Sequence, residues 1–351
     1  MNDSSQKVEI SSIQNQLESG LHRSVAWVLQ RIAEDGEPIG GSQRNNYYRI
    51  PFALGLAGAR EPASRVLSWI ERHALTEDAD LKPGAPQGVF THRYASYPLA
   101  LIAIGAWHLE REDTAISIME TLKIFQSKDS GGSYAERPEI RTSSRQDFFA
   151  TAQLGMVALT TGYDEMADGA FRWLSAVYDA QPNLPNHLYT VWDDNGLITE
   201  IGDDEDSQFH LLTDFKKPKQ AFYNPGIAAA FLARYFMKTG NQKAKTLGHQ
   251  YLQLHDTASD RQYAYQESKQ ICKYGWGAAL MMLADRNPNL LTVVLRMAEW
   301  FLDSQLEDGR WENSPFQDPQ PTDESNLEIT VEFIQHLVTL QVALGGYNRN
   351  N

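Results

Sequence analysis

The chain has 351 residues, with 31 Lys and Arg against 45 Asp and Glu, and its formal charge of −14 excludes a polyanionic partner such as nucleic acid, whose phosphates require clustered bases. The single cysteine, Cys272, excludes an internal disulfide and any zinc site built from several thiolates; it fits a reducing compartment, with the cytoplasm as the expected location. Hydrophobic residues at 42% allow a large core, and 8 Trp with 15 Tyr give more aromatic surface than a plain helical scaffold requires, enough to wall a pocket.

From the N-terminus onward, residues 1–19 are polar at first and lack the basic start and apolar run of a secretory signal. They are expected to form an extension ahead of one domain spanning 20–351. Within that domain one phrase recurs: a helix with an aromatic on its apolar face, a polar loop, then a second helix rich in small apolar residues. The first helices are expected at 25–32, 63–72, 115–125, 170–178, 245–254 and 291–302. The second are expected at 51–58, 98–105, 150–158, 225–233, 275–283 and 330–338. Pro51, Pro98 and Pro225 open three of these, where a missing N–H loses nothing. Starts recur about every 45 to 55 residues, apart from one interval near 75, a spacing that holds two helices and their loops. The long interval is an excursion at about 179–222 with Pro182, Pro185 and the acidic group Asp193, Asp194, Asp203, Asp204 and Asp206. The expected fold is all-α, an (α/α)6 toroid of about six helical hairpins. No stretch offers some 18 uninterrupted apolar residues, so no stable membrane insertion is expected.

Near the C-terminus, Phe301-Leu302 precedes Gln305-x-x-x-Gly309-x-Trp311, and a fainter version runs from Phe125 and Gln126 through Gly131 to Tyr134. This element resembles the terpenoid cyclase and protein prenyltransferase toroid superfamily, in particular a single barrel like that of squalene-hopene cyclases. The resemblance implies an (α/α)6 barrel around a deep, aromatic-lined apolar cavity. The catalytic motifs of that superfamily are not matched. Asp203-Asp204-Glu205-Asp206 has the wrong order for the protonating Asp-x-Asp-Asp, and no Asp-rich magnesium motif occurs. Cys272 stands before an inner helix as a prenyltransferase zinc ligand would, but no paired acid and His at compatible spacing accompany it.

Loops entering the inner helices of a toroid converge on one mouth, so residues just before those helices are expected to share a cavity. They include Tyr48, Arg49, His92, Tyr94, Tyr97, Arg145, Phe149, Tyr223, Asn224, Tyr274 and Trp276 as substrate-binding candidates. Asp147, Glu328 and Lys273 are the catalytic candidates, since burial raises a carboxyl pKa toward that of a general acid. Their other reading is structural, with the acids capping helices or pairing with Arg49 and Arg145. The nine histidines contain no His-x-x-x-His or His-Glu-x-x-His pair, and no phosphate loop or nucleotide fingerprint is present, so neither metal nor cofactor is expected. The expected activity is a cyclase or isomerase that folds a hydrophobic terpenoid or polyene in an aromatic cavity, including by metal-free cycloaddition. A carbohydrate-active toroid enzyme is the first alternative, and a non-catalytic ligand-binding toroid is the second.

Overall fold

The computed structural model describes residues 3–41, 47–82 and 94–350. Its helices alternate between two kinds of surface, and the alternation builds the architecture. In chain order they are α1 (Asp3–Leu29) and α2 (Ile50–Leu56), α3 (Arg60–His73) and α4 (Ser96–His108), α5 (Glu112–Leu122) and α6 (Phe148–Thr161). There follow α7 (Asp164–Asp179), a short α8 (Glu205–Leu211), α9 (Tyr223–Thr239), α10 (Gln242–Gln253), α11 (Cys272–Asp285), α12 (Leu291–Ser304) and α13 (Asp323–Asn350). The helix α7 buries Met166, Ala167, Ala170, Trp173, Leu174 and Val177, one stripe at helical spacing. By contrast, α4 buries every residue from Ser96 to Ala106 and α6 buries nearly its whole length, as helices walled on all sides must.

The fully buried kind forms the inner ring. Around it α2 packs on α4, α4 on α6, α6 on α9, α9 on α11, α11 on α13, and α13 returns to α2. The striped kind stands outside, with α3, α5, α7, α10 and α12 each against the inner helix that precedes it in the chain and α1 against α13. This is the expected (α/α)6 toroid. Helix α1 begins at Asp3, so the segment expected as an extension belongs to the outer ring. The last helix is long and apolar enough to cross a membrane, but most of its apolar window is buried in the toroid, which accounts for its composition.

Connections at the two ends of the ring differ. Each inner helix passes to the next outer one through a short turn, as at 57–59, 109–111, 162–163 and 240–241. The returns into the inner helices are long and carry the remaining structure. There β1 (Ser133–Tyr134), β2 (Gln146–Asp147), β4 (Val191–Asp193) and β5 (Gly196–Leu197) form an antiparallel sheet in the order β1-β2-β4-β5, and β3 (His187–Tyr189) pairs with β6 (Leu212–Asp214). Gln146 lies opposite Trp192, so the excursion after α7 is hydrogen-bonded to the loop that enters α6.

The Gln-x-x-x-Gly-x-Trp element closes the ring. Gln305 donates from Nε2 to the Gly20 and Gly309 carbonyls, both at 2.9 Å, and accepts from Arg23 at 2.6 Å, tying the last hairpin to the first helix. Trp311 is fully buried; its ring N–H meets the Phe301 carbonyl at 3.0 Å and its backbone N–H meets Thr330 Oγ1 at 3.0 Å. The upstream copy does the same job between neighbours, with Gln126 donating to Gly131 and Met166 and the Ser133 N–H bonding Thr151. Gly309 has φ +96°, and a Cβ there would stand 2.4 Å from the Arg23 carbonyl carbon. Gly58 has φ +84° with open space around it. Gly58→Ala is therefore expected to cost about 1–2 kcal/mol of backbone strain, and Gly309→Ala more, because α1 must also move. Gln305→Ala strands buried carbonyls at about 1–3 kcal/mol. Urea midpoints check this: equal midpoints for Gly309→Ala and Gly58→Ala would refute the closing role.

Candidate active site

The starts of the inner helices meet in a circuit of side chains. Tyr48, just before α2, lies edge-on to Tyr97 of α4 with ring centroids 5.8 Å apart. Tyr97 contacts Phe149 of α6 at 4.9 Å, and Phe149 contacts Tyr223 of α9 at 5.1 Å. Lys273 of α11 places its ammonium 5.9 Å from the Phe149 ring and 6.0 Å from the Tyr223 ring. It pairs with Glu332 of α13, and Glu332 pairs with Arg49, which returns the circuit to Tyr48. The approach of α9 to α11 sets the position of Lys273. A Cβ on Gly226 would lie 2.2 Å from the Lys273 carbonyl, so only glycine lets the two backbones come this close.

Two carboxylates and two cations form the charged part of the circuit. Glu332, 8% exposed, is held between Arg49 and Lys273. Glu328, one turn earlier on α13, accepts from the Tyr48 hydroxyl at 3.0 Å and lies 3.7 Å from Arg49; its side chain keeps 35% exposure toward the mouth. Burial keeps the Tyr48 phenol protonated, with its pKa well above the usual value, and its oxygen accepts from Arg49 Nε at 3.2 Å. Burial also pushes the Lys273 ammonium down to about 8, with the positive charges of Arg49 and Lys269 adding to it, while Cys272 and Glu328 pull the other way. Lys269, one turn ahead, is likewise brought down to about 8 by burial. Below them His336 of α13, 1% exposed, is kept neutral by burial and by the charges of Lys273 and Arg49.

Of the residues expected at the mouth, Tyr48, Arg49, Tyr94, Tyr97, Phe149, Tyr223, Lys273, Trp276 and Glu328 come together. Tyr94 joins through Phe149, at 5.1 Å, and its hydroxyl lies 3.4 Å from His210 Nδ1. Asp147 instead caps α6, accepting from the Ala150 N–H at 2.9 Å, which is the structural reading of that acid. Arg145 is exposed. Asn224 is buried and its amide lies 3.4 Å from Thr213 in the excursion. Tyr274 stacks on His255 at 4.0 Å, away from Lys273. His92 lies outside the described residues.

Sequence reasoning missed Glu332, His336, Lys269 and Gln153. Their signal was present as Glu328-x-x-x-Glu332-x-x-x-His336, a polar stripe at helical spacing inside an otherwise apolar run. The expectation that Cys272 has no acid and His beside it is corrected here: ligand atoms of Cys272, Glu332 and His336 lie within 4.8 Å of one another. This set does not fit a divalent cation. Glu332 is already neutralised by Arg49 and Lys273, which a metal would have to sit against, and burial holds the Cys272 thiol protonated.

No protein-family model matches the chain, and no curated protein sequence matches it. Solved structures do. The family 76 alpha-mannanase of Bacteroides thetaiotaomicron is similar over 98% of this chain and 99% of its own, with TM-score 0.65 and 12% identity. A D-mannose isomerase is similar over 94% and 97%, with TM-score 0.64 and 12% identity. A type II terpene cyclase from Scytonema is similar over 95% and 99%, with TM-score 0.56 and 12% identity. At these identities the likeness shows the fold, an α/α toroid, and terpenoid cyclases are one of several groups that share it.

Because Glu332 alone separates two buried cations, Glu332→Gln is expected to destabilise the protein by about 3–5 kcal/mol. Glu328→Gln, on a partly open side chain, should cost about 1 kcal/mol or less. Denaturant midpoints of the two variants test the order; a reversed order would remove Glu332 from the centre of the cluster.

Proposed function

We propose that this toroid is an enzyme that moves protons on a small polar substrate of the carbohydrate class, as an aldose–ketose isomerase or epimerase does. The observation that carries the reading is the charged circuit across the mouth, Glu328 with Arg49, Glu332 and Lys273, ringed by aromatic faces. Glu328 is the carboxylate open to the mouth and serves as base toward a carbon beside a carbonyl. The Lys273 ammonium gives its proton to the carbonyl oxygen, and the product is an enediol. Glu328 then returns its proton to the former carbonyl carbon while the neighbouring hydroxyl returns one to Lys273, which completes an isomerisation. Arg49 orients substrate hydroxyls, and Tyr48, Tyr97 and Phe149 offer faces to the apolar side of a sugar ring.

Hydrolysis is less well supported. Glycosidases flank the scissile bond with two carboxylates from opposite sides, whereas Glu328 and Glu332 lie one turn apart on α13 and share Arg49. Cyclisation of a polyene is the second reading. It is favoured by the unbroken aromatic belt from Tyr48 through Tyr97 and Phe149 to Tyr223, and by the type II terpene cyclase among the similar structures.

Deuterium uptake separates the two. With aldoses and ketoses in D2O, the protein should exchange the proton beside the carbonyl, and Lys273→Met and Glu328→Gln should each lose about 10²–10⁴-fold. The acid form of Lys273 declines as pH rises through about 8, so kcat should fall above that pH, and Lys273→Arg, always charged, should lack that limb. Turnover of prenyl substrates with no exchange into any sugar would replace this reading by the cyclase.

A further inference from the structure

Beneath the charged circuit, the pore continues between the inner helices toward Arg234, late in α9. The space between has a water-accessible volume of about 20 Å³, room for a single water-sized particle. Its walls include Arg49, Lys273 and Arg234, and among the described residues Glu332 is their only carboxylate. Three cations thus face one anion, and that anion is already paired with two of them.

Acceptors and donors both line the space, with Glu332, Gln153, Thr160 and Gln335 among the former, but several of its buried N–H groups lack a partner. Arg234 Nε is buried without a hydrogen-bond partner, and among the described residues no carboxylate pairs with its guanidinium. Trp276 is 5% exposed, and its Nε1, which can only donate, has no partner. His336 is 1% exposed, with Nε2 3.6 Å from the Glu332 carboxylate and neither ring nitrogen hydrogen-bonded; as a neutral imidazole it supplies one further N–H and one acceptor. Buried N–H groups left alone cost about 1–3 kcal/mol each, and three residues lining one cavity carry them. A water molecule could give its protons to Glu332, Gln153 or Gln335, which also line the space, but it brings no charge to offset the cations. A phosphate or sugar carboxylate is too large for the space.

We propose that the pore binds one small monovalent anion of the halide type between Arg234 Nε, Trp276 Nε1 and His336, directly below Lys273 and Glu332. The anion satisfies the three donors and balances the third cation, and it stands apart from the substrate at the mouth. It therefore does not depend on the carbohydrate reading.

The test compares thermal unfolding of the full chain in sodium chloride and in sodium gluconate, whose anion cannot enter, at equal ionic strength. Chloride at about ten times its dissociation constant should raise Tm by about 2 °C. Arg234→Met and Trp276→Phe should unfold at the same temperature in both salts. Crystals of the unaltered protein soaked in bromide should show an anomalous peak on the pore axis within hydrogen-bonding reach of Arg234 Nε and Trp276 Nε1. That measurement decides the matter even if a variant fails to fold. Identical unfolding of the wild type in both salts together with no bromide peak in the pore would overturn the proposal and leave the cavity to water, as would a chloride response that survives in Arg234→Met.

Discussion

The carboxylate of Glu332 holds together what the toroid would otherwise keep apart. Arg49 enters the pore from the first inner helix and Lys273 from the fifth, and each brings a full charge into a space with little water. Two such cations facing one another would strain the ring open, because the repulsion between charges grows as the local dielectric falls. One carboxylate from the sixth helix turns that repulsion into a bridge. It is a costly way to fill a pore, since a buried ionic trio rarely matches a well-packed apolar one in stability. What the trio provides is a polarised centre, with an ammonium whose burial brings its titration near neutral pH and a second carboxylate, Glu328, left partly open one turn above.

The position of this centre follows from the hairpin plan. Each inner helix is followed by a short turn and an outer helix running back, so all the inner helices point the same way and their N-termini gather at the end where the connections are long. Among them α2, α4, α9 and α11 begin without a side-chain cap. Their N-terminal partial charges therefore face the mouth, where they favour carboxylates and any oxyanion that develops there. The first turn of α6 is covered by Asp147, and that of α13 by Thr322, whose hydroxyl accepts from the Ser325 N–H.

Much of this plan was legible in the sequence, for definite reasons. Pro51, Pro98 and Pro225 mark inner-helix starts because proline is compatible only with a helix's opening turn. The spacing of those starts implied the ring, and Gln305, Gly309 and Trp311 supported the toroid, although their closing contacts to α1 were not visible in the sequence. The mouth residues Tyr48, Arg49, Tyr97, Phe149, Tyr223, Lys273 and Glu328 were found by assuming that helix starts converge. That same assumption misplaced Asp147, whose position directly before Phe148 suits a cap, and Arg145, which sits just ahead of a β-strand that the sequence did not announce. It also stopped one turn too soon. A helix that lines a pore keeps facing it at i+4 and i+8, so the rule that selects Glu328 also selects Glu332 and His336, and the rule that selects Phe149 also selects Gln153. Helix α1 was shortened because its polar beginning makes sense only against α13, a partner more than 300 residues away.

The i+4 positions are also what separates one toroid chemistry from another. The ring specifies where six helix starts meet but leaves the next layer down free in composition. An apolar layer opens a greasy chamber suited to folding a hydrocarbon. Here that layer holds Glu332, Gln153, Gln335 and His336, with Arg234 beyond, and the space between them admits no more than a small ion or a water. These groups depend on one another: with Glu332 replaced by leucine, Arg49 and Lys273 would stand unpaired, and with both cations made apolar, Glu332 would be stranded. A change from polar to greasy pore cannot proceed one residue at a time without a large loss of stability. The column acts as a unit, and under the proposed carbohydrate reading a substrate would be held at the aromatic rim above it, within reach of Glu328 and Lys273.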